Sequence, residues 1–279
     1  MAVWREEVKV NMRIVIKVGT STLTHASGVP NLQRIERMAR VLADLHGMGH
    51  EVILVSSGAI AVGVAELQMG ARPTELRYKQ AAAAVGQCNI MHIYDKLFSE
   101  YTCPVGQILL TGDDVDDPVR AEHLSNTFNA LLEMGVIPIV NENDSVSSAE
   151  IETGHNKVLG DNDTLSAIVA GLCRADLLIL LSDIDGLFDA DPRTDPNAQL
   201  IPLVERVTPE LLEMAGGSGT WRGTGGMATK LNAARIAMAS GVSMVITNGE
   251  RMEDIYGIVA GEPIGTRFKT EKDPGREDA

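Results

Sequence analysis

Aromatic residues are scarce, 4% of 279 positions against 44% hydrophobic and 22% charged, which describes a globular chain rather than a disordered or fibrous one. Cysteine is scarcer still. Cys88, Cys103 and Cys173 are odd in number, widely spaced and free of any C-x-x-C pair, so neither a disulfide framework nor a zinc cluster is indicated; we read them as reduced core thiols. Long apolar runs are missing: nothing approaches the ~18 residues of a membrane span, and the first eleven residues, with Arg5, Glu6, Glu7 and Lys9, have no apolar segment of a secretory leader. The cytoplasm is the expected compartment. Positive charge is in deficit, 24 Lys and Arg against 38 Asp and Glu, and a net charge of -14 repels phosphate backbones and anionic lipid headgroups. Neither nucleic acid nor a membrane is an expected partner. The six histidines form no metal signature, since Gly47 and Gly49 disfavour a helix that would align His46 with His50, and no G-x-S-x-G occurs. No protein-held metal site is expected.

What is present is an alternation of apolar β-branched runs with helical stretches: Arg13–Val18, Leu32–His46, Val52–Val55, an Ala-rich span Tyr78–Phe98, Val105–Leu110, Ala121–Met134, Ile137–Val140, Leu165–Leu172 and Leu177–Leu181. That pattern predicts βαβ units around a mainly parallel sheet covered on both faces, in one domain. A short helix Pro209–Met214, a glycine-rich loop, a helix of about Met227–Ser240 and a last strand Ser243–Thr247 follow. Lys269–Ala279 is charged and carries Pro274 and Gly275, as a frayed tail does.

Several motifs fall at expected strand ends, the edge at which open α/β sheets bind ligands. The first strand closes on Lys17-Val-Gly-Thr-Ser, an ammonium beside a loop of accessible amides; alone, such a motif is more often a surface lysine before an ordinary turn. The second closes on Val55-Ser-Ser-Gly-Ala, where Ser57 can hold a carboxylate at a helix N-terminus or simply cap that helix. Asn141-Glu-Asn-Asp144 follows a third strand and Gly160-Asp-Asn-Asp163 opens the next helix; each Asx residue singly suits a turn, but the two clusters flank one short insertion. The loop Gly216-Gly-Ser-Gly-Thr-Trp-Arg-Gly-Thr-Gly-Gly-Met-Ala-Thr-Lys230 is the strongest local signal. It offers unhindered amides, a helix N-terminus and Lys230 to one anion, without matching the Walker A or dinucleotide patterns.

In this order, with Leu181-Ser-Asp183 added, these motifs resemble the amino acid kinase family, and within it the members that phosphorylate glutamate. The resemblance runs from Met12 to Phe268, giving a 12–268 kinase domain between a 1–11 extension and a 269–279 tail. It implies a three-layer αβα sandwich with a mainly parallel open sheet. It implies catalytic Lys17 and Lys230 with Asp163 organising them; an amino acid held by Ser57, Gly58, Asn141, Asp144 and Asn162; and ATP contacted by Lys17, Gly19, Ser182, Asp183, Thr224, Gly225, Gly226, Met227 and Lys230. Many members carry a further C-terminal RNA-modification-type (PUA) domain, which is expected to be absent here.

The implied reaction forms L-glutamyl 5-phosphate, the first step of proline biosynthesis. A carboxylate titrating near ~4.3 is already a nucleophile at neutral pH, so no general base is needed; phosphoryl transfer asks instead for in-line placement and positive charge. Magnesium is expected to arrive chelated by ATP. The resemblance also implies feedback inhibition by proline, a homo-oligomer and delivery of the product to glutamyl phosphate reductase. Kinases for acetylglutamate, aspartate or carbamate, and a nonenzymatic amino acid or nucleotide sensor, are the alternatives. Turnover with each acid, or binding without ATP consumption, distinguishes them.

Overall fold

The structure, a computed structural model, describes residues 11–146, 161–216 and 226–270. Its strands are β1 (Arg13–Val18), β2 (Glu51–Val55), β3 (Val105–Leu110), β4 (Ile137–Glu142), β5 (Leu177–Ser182), β6 (Leu203–Val204), β7 (Ser243–Asn248) and β8 (Thr266–Phe268). The helices are α1 (Thr20–Leu23), α2 (Leu32–Gly47), α3 (Ala59–Glu66), α4 (Leu76–Ser99), α5 (Gly112–Asp116), α6 (Pro118–Glu133), α7 (Asn162–Leu172), α8 (Pro209–Gly216), α9 (Gly226–Ala239) and α10 (Asp254–Val259).

All eight strands join one sheet in the order β3-β4-β2-β1-β5-β7-β8-β6, parallel except where β8 runs against β7. The sequence reading ended the sheet at Ser243–Thr247; β8 and its two-residue partner β6 extend it further. It also placed all three cysteines in the core, which holds for Cys103 and Cys173, whereas Cys88 lies on the exposed side of α4. Both faces are buried. Val15, Ile53, Val55 and Val140 pack with α6, α7 and α9 on one side, while Ile14, Ile16, Val18, Val52 and Leu54 pack with α2, α4 and α10 on the other. Odd and even positions of the same strands thus feed two separate cores, which is why these segments read as continuous apolar runs. The result is the three-layer αβα sandwich.

The chain leaves β1 toward β2 and β4 on one side and later returns beside β1 as β5 on the other. The direction of winding therefore switches next to β1, and the carboxyl ends of the strands there are where sheets of this kind bind ligands. Register puts Lys17 opposite Val55 of β2 and Leu180 of β5, so the residues following β1, β2, β4, β5 and β7 emerge at one rim.

Candidate active site

At that rim β1 delivers Lys17, the first turn of α7 delivers Asp163, and α9 delivers Lys230 from one turn inside its start. Lys17 Nζ lies 2.6 Å from Asp163 Oδ1, and Lys230 Nζ lies 2.9 Å from Oδ2. Thr229 Oγ1 also donates to Oδ2, at 3.3 Å. Only about a tenth of each lysine side chain and 5% of the aspartate remain exposed, so a single carboxylate holds the buried Lys17 and the largely buried Lys230. Burial alone would push Asp163 up, yet the charges and hydrogen bonds of Lys17 and Lys230 outweigh it and hold the carboxyl below its ordinary range. Two cations against one anion leave a net positive charge in a desolvated recess of a chain whose total is -14. Gly19 runs beside this pair: a Cβ there would sit 3.5 Å from Lys17 Nζ.

The residue before Asp163 turns to the other side. Asn162 Nδ2 donates to Ser57 Oγ at 2.7 Å, to the Ser56 carbonyl at 2.8 Å and to Asn141 Oδ1 at 3.1 Å. Asp161 fixes the start of α7, accepting from the Thr164 backbone N–H at 2.8 Å, and so aims Asn162 and Asp163 from consecutive positions. Asn141 is buried at the end of β4 and is braced in turn by Gln87 of α4.

Neither Ser56 nor Ser57 caps α3. The N-cap is Gly58 in a left-handed conformation, φ 92°, which favours glycine, and no side chain among the described residues bonds the first turn. The helix therefore presents free N–H groups beside Ser57 Oγ. Ser56 instead meets the buried Tyr94 hydroxyl at 2.9 Å. A Cβ on Gly58 would lie 3.7 Å from Thr20 Cγ2, so the loops after β1 and β2 run side by side within van der Waals reach.

Asp144 lies in the turn after β4. Burial first, then the neighbouring Glu142 carboxylate, raise its pKa to about 6, with Arg72 pulling the other way. Ser182 is buried at the end of β5 and donates to Asp183 at 3.3 Å; Asp183 is paired with Arg193 at 2.7 Å. Next to them Asn248 and Arg251 both bond Asp185. Gly226 and Met227 begin α9, but the Met227 side chain is buried in the core, which leaves its backbone for any ligand. Thr224 and Gly225 lie outside the described residues. Among the described residues no three His, Cys, Asp or Glu side chains cluster as a metal site, and no helix is long and apolar enough to cross a membrane.

The structure thus brings Lys17, Asp163 and Lys230 into one group and Ser57, Asn141 and Asn162 into a second, joined through the start of α7. The sequence reading missed Gln87 and Tyr94. Thr229 stood in the glycine-rich loop motif beside Lys230, whereas Gln87 and Tyr94 carried no local signal beyond an Ala-rich helix.

The sequence profile of the amino acid kinase family matches residues 12–248. The chain is 53% identical over 268 residues to glutamate 5-kinase of Clostridium perfringens, covering 96% of this chain and 99% of that one. It is 52% identical over 274 residues to glutamate 5-kinase of Listeria monocytogenes, covering 98% and 99%. Among solved structures it superposes on carbamate kinase from Giardia lamblia bound to AMP-PNP with a TM-score of 0.66 at 17% identity, covering 94% of this chain and 99% of that one. The isopentenyl phosphate kinase of T. acidophilum gives 0.63 at 17%, covering 92% and 100%. This chain is a member of the amino acid kinase family.

Proposed function

We propose that this chain transfers the γ-phosphoryl group of ATP to the γ-carboxylate of L-glutamate, forming L-glutamyl 5-phosphate and ADP as the first step of proline biosynthesis. The observation that carries the reading is the pair of buried ammonium groups on Asp163, set one residue away from the amide and hydroxyl network of Asn162, Ser57 and Asn141. Asp163, which anchors the two cations, and Asn162, which joins the polar network, occupy adjacent positions of one helix start. An attacking carboxylate and a triphosphate bound on either side are thereby held in register for in-line transfer. Identity above 50% to two glutamate 5-kinases over nearly the whole chain supports glutamate as the acid.

A carboxylate oxygen of the substrate attacks the γ-phosphorus, the bond to the bridging oxygen of ADP breaks, and negative charge builds on the transferring group and the leaving oxygen. Lys17 and Lys230 neutralise that charge, and Asp163 keeps the two ammonium groups from separating. The free N–H groups of α3 with Ser57 and Gly58 receive the α-carboxylate, while Asn141, Asp144 and Asn162 receive the ammonium group. Gly19, Ser182, Asp183 and the stretch Thr224–Lys230 hold the nucleotide, and magnesium enters on its phosphates. The motif order supports the same extension to proline as a feedback ligand, glutamyl phosphate reductase as consumer of the acylphosphate, a homo-oligomer and the cytoplasm.

The test is direct. Purified protein with ATP, Mg²⁺, L-glutamate and hydroxylamine should accumulate γ-glutamyl hydroxamate, and acetylglutamate, aspartate and carbamate in place of glutamate should give far less. Equal or better turnover with one of those acids moves the substrate assignment to it. Binding without ADP release ends the enzymatic reading.

A further inference from the structure

The amide of Gln87 is buried in α4, and its orientation is dictated by its neighbours. The Glu142 backbone N–H donates to Asn141 Oδ1 at 2.9 Å, so the oxygen of Asn141 faces that N–H and Asn162, and its Nδ2 faces α4. That Nδ2 donates to Gln87 Oε1 at 2.8 Å. Gln87 Nε2 must then point the opposite way, where it is buried without a hydrogen-bond partner among the described residues. An orphaned buried donor is unfavourable, so a residue selected for the fold alone would place an apolar side chain there. Seven residues on, along the same face of α4, Tyr94 bonds Ser56. Gly86 lets this face come close: a Cβ on it would lie 1.8 Å from the Ala59 carbonyl oxygen in the first turn of α3.

We propose that Gln87 is a positioning residue of the acceptor subsite, its Oε1 locking the Asn141 amide so that Asn141 Oδ1 in turn aligns Asn162 against Ser57. The inference rests on the glutamate reading given above. Gln87 acts through Asn141 on the acid and leaves the lysine pair untouched, since among the described residues its hydrogen-bond chain runs through Asn141 and Asn162 to Ser57 and reaches neither Lys17 nor Lys230.

The experiment is a double-mutant cycle of Gln87→Met and Asn141→Ala, read as separate KM values for glutamate and ATP together with apo melting midpoints. Gln87→Met should raise the glutamate KM about tenfold and leave the ATP KM within about twofold. In the Asn141→Ala background the same change should add nothing, because the residue it works through is gone. The apo midpoint of Gln87→Met should stay within about 3 °C of wild type, since one orphaned donor, Gln87 Nε2, is exchanged for another, Asn141 Nδ2. Additive effects, equal losses for both substrates, or a variant that melts far lower or fails to fold would each overturn the proposal and make Gln87 a packing residue. Wild type that yields no hydroxamate sinks the substrate reading instead, and the midpoint comparison still judges Gln87.

Discussion

Asp144 is the side chain whose behaviour with pH separates function from fold. Its folded pKa of about 6 is raised chiefly by burial and then by Glu142. If it binds the substrate ammonium it must be ionised to do so, and the ionised fraction grows about tenfold between pH 5 and 7. Glutamate's side-chain carboxylate, near ~4.3, is already about five-sixths ionised at pH 5 and adds little to the change across that window. The kcat/KM for glutamate at saturating Mg-ATP should therefore climb about tenfold from pH 5 to 7 and level off, and Asp144→Asn should flatten the limb while raising KM. Stability runs the other way. An acid whose pKa is higher folded than unfolded releases its proton first from the unfolded chain, so native stability drops as pH rises from about 4 through about 6. Asp144→Asn removes that penalty and should melt at or above the wild-type midpoint at pH 7. A variant that keeps the pH limb, or melts lower, removes Asp144 from the acceptor site.

Among the secondary-structure elements, α3 and α4 show most plainly what the sequence could and could not tell. The Ala-rich helix was legible at Tyr78–Phe98 and spans Leu76–Ser99, and strands such as Arg13–Val18 and Val105–Leu110 have the ends their apolar runs imply. Long periodic segments declare themselves because their burial is local in pattern. β6 and β8 did not, since two- and three-residue strands exist only through partners elsewhere in the chain. Lys17 and Lys230 were nominated by the order of motifs and not by spacing, and nothing local in Gln87 distinguishes it from a solvent-facing polar residue. Two glycines make the helix pair what it is: a Cβ at Gly63 would lie 1.8 Å from the Ala82 carbonyl oxygen, and one at Gly86 the same distance from that of Ala59. Backbone cannot yield to a methyl as a side-chain tip can. Gly86→Ala should therefore destabilise by about 1–3 kcal/mol or more, despite the better helix propensity of alanine, and should weaken glutamate binding by shifting the start of α3. Chemical denaturation with KM for both substrates measures each part; a neutral or stabilised variant would mean the helices do not touch there.

Across the whole molecule, three segments far apart in sequence are tied at one point: β1, α7 and α9 meet at Lys17, Asp163 and Lys230. The three side chains play unequal parts. Taking away Asp163 leaves two buried ammonium groups side by side with no counterion, whereas taking away Lys230 leaves Asp163 paired with Lys17. Asp163→Asn should accordingly lower stability by about 3–5 kcal/mol and Lys230→Ala by much less, even though both should cut turnover by about a hundredfold or more. The acid limb gives an independent reading. Because the lysines hold the folded Asp163 below its unfolded value, the stability it contributes is complete above about pH 4 and vanishes as pH falls through the depressed folded value. The gap in unfolding free energy between wild type and Asp163→Asn should thus be widest near neutrality and narrow steadily below about pH 4. Denaturant midpoints at pH 7 and below pH 4, set against initial rates for both variants, separate a charge clamp built for phosphoryl transfer from a merely structural ion pair: equal destabilisation by the two substitutions with turnover preserved would leave the rim without a catalytic centre.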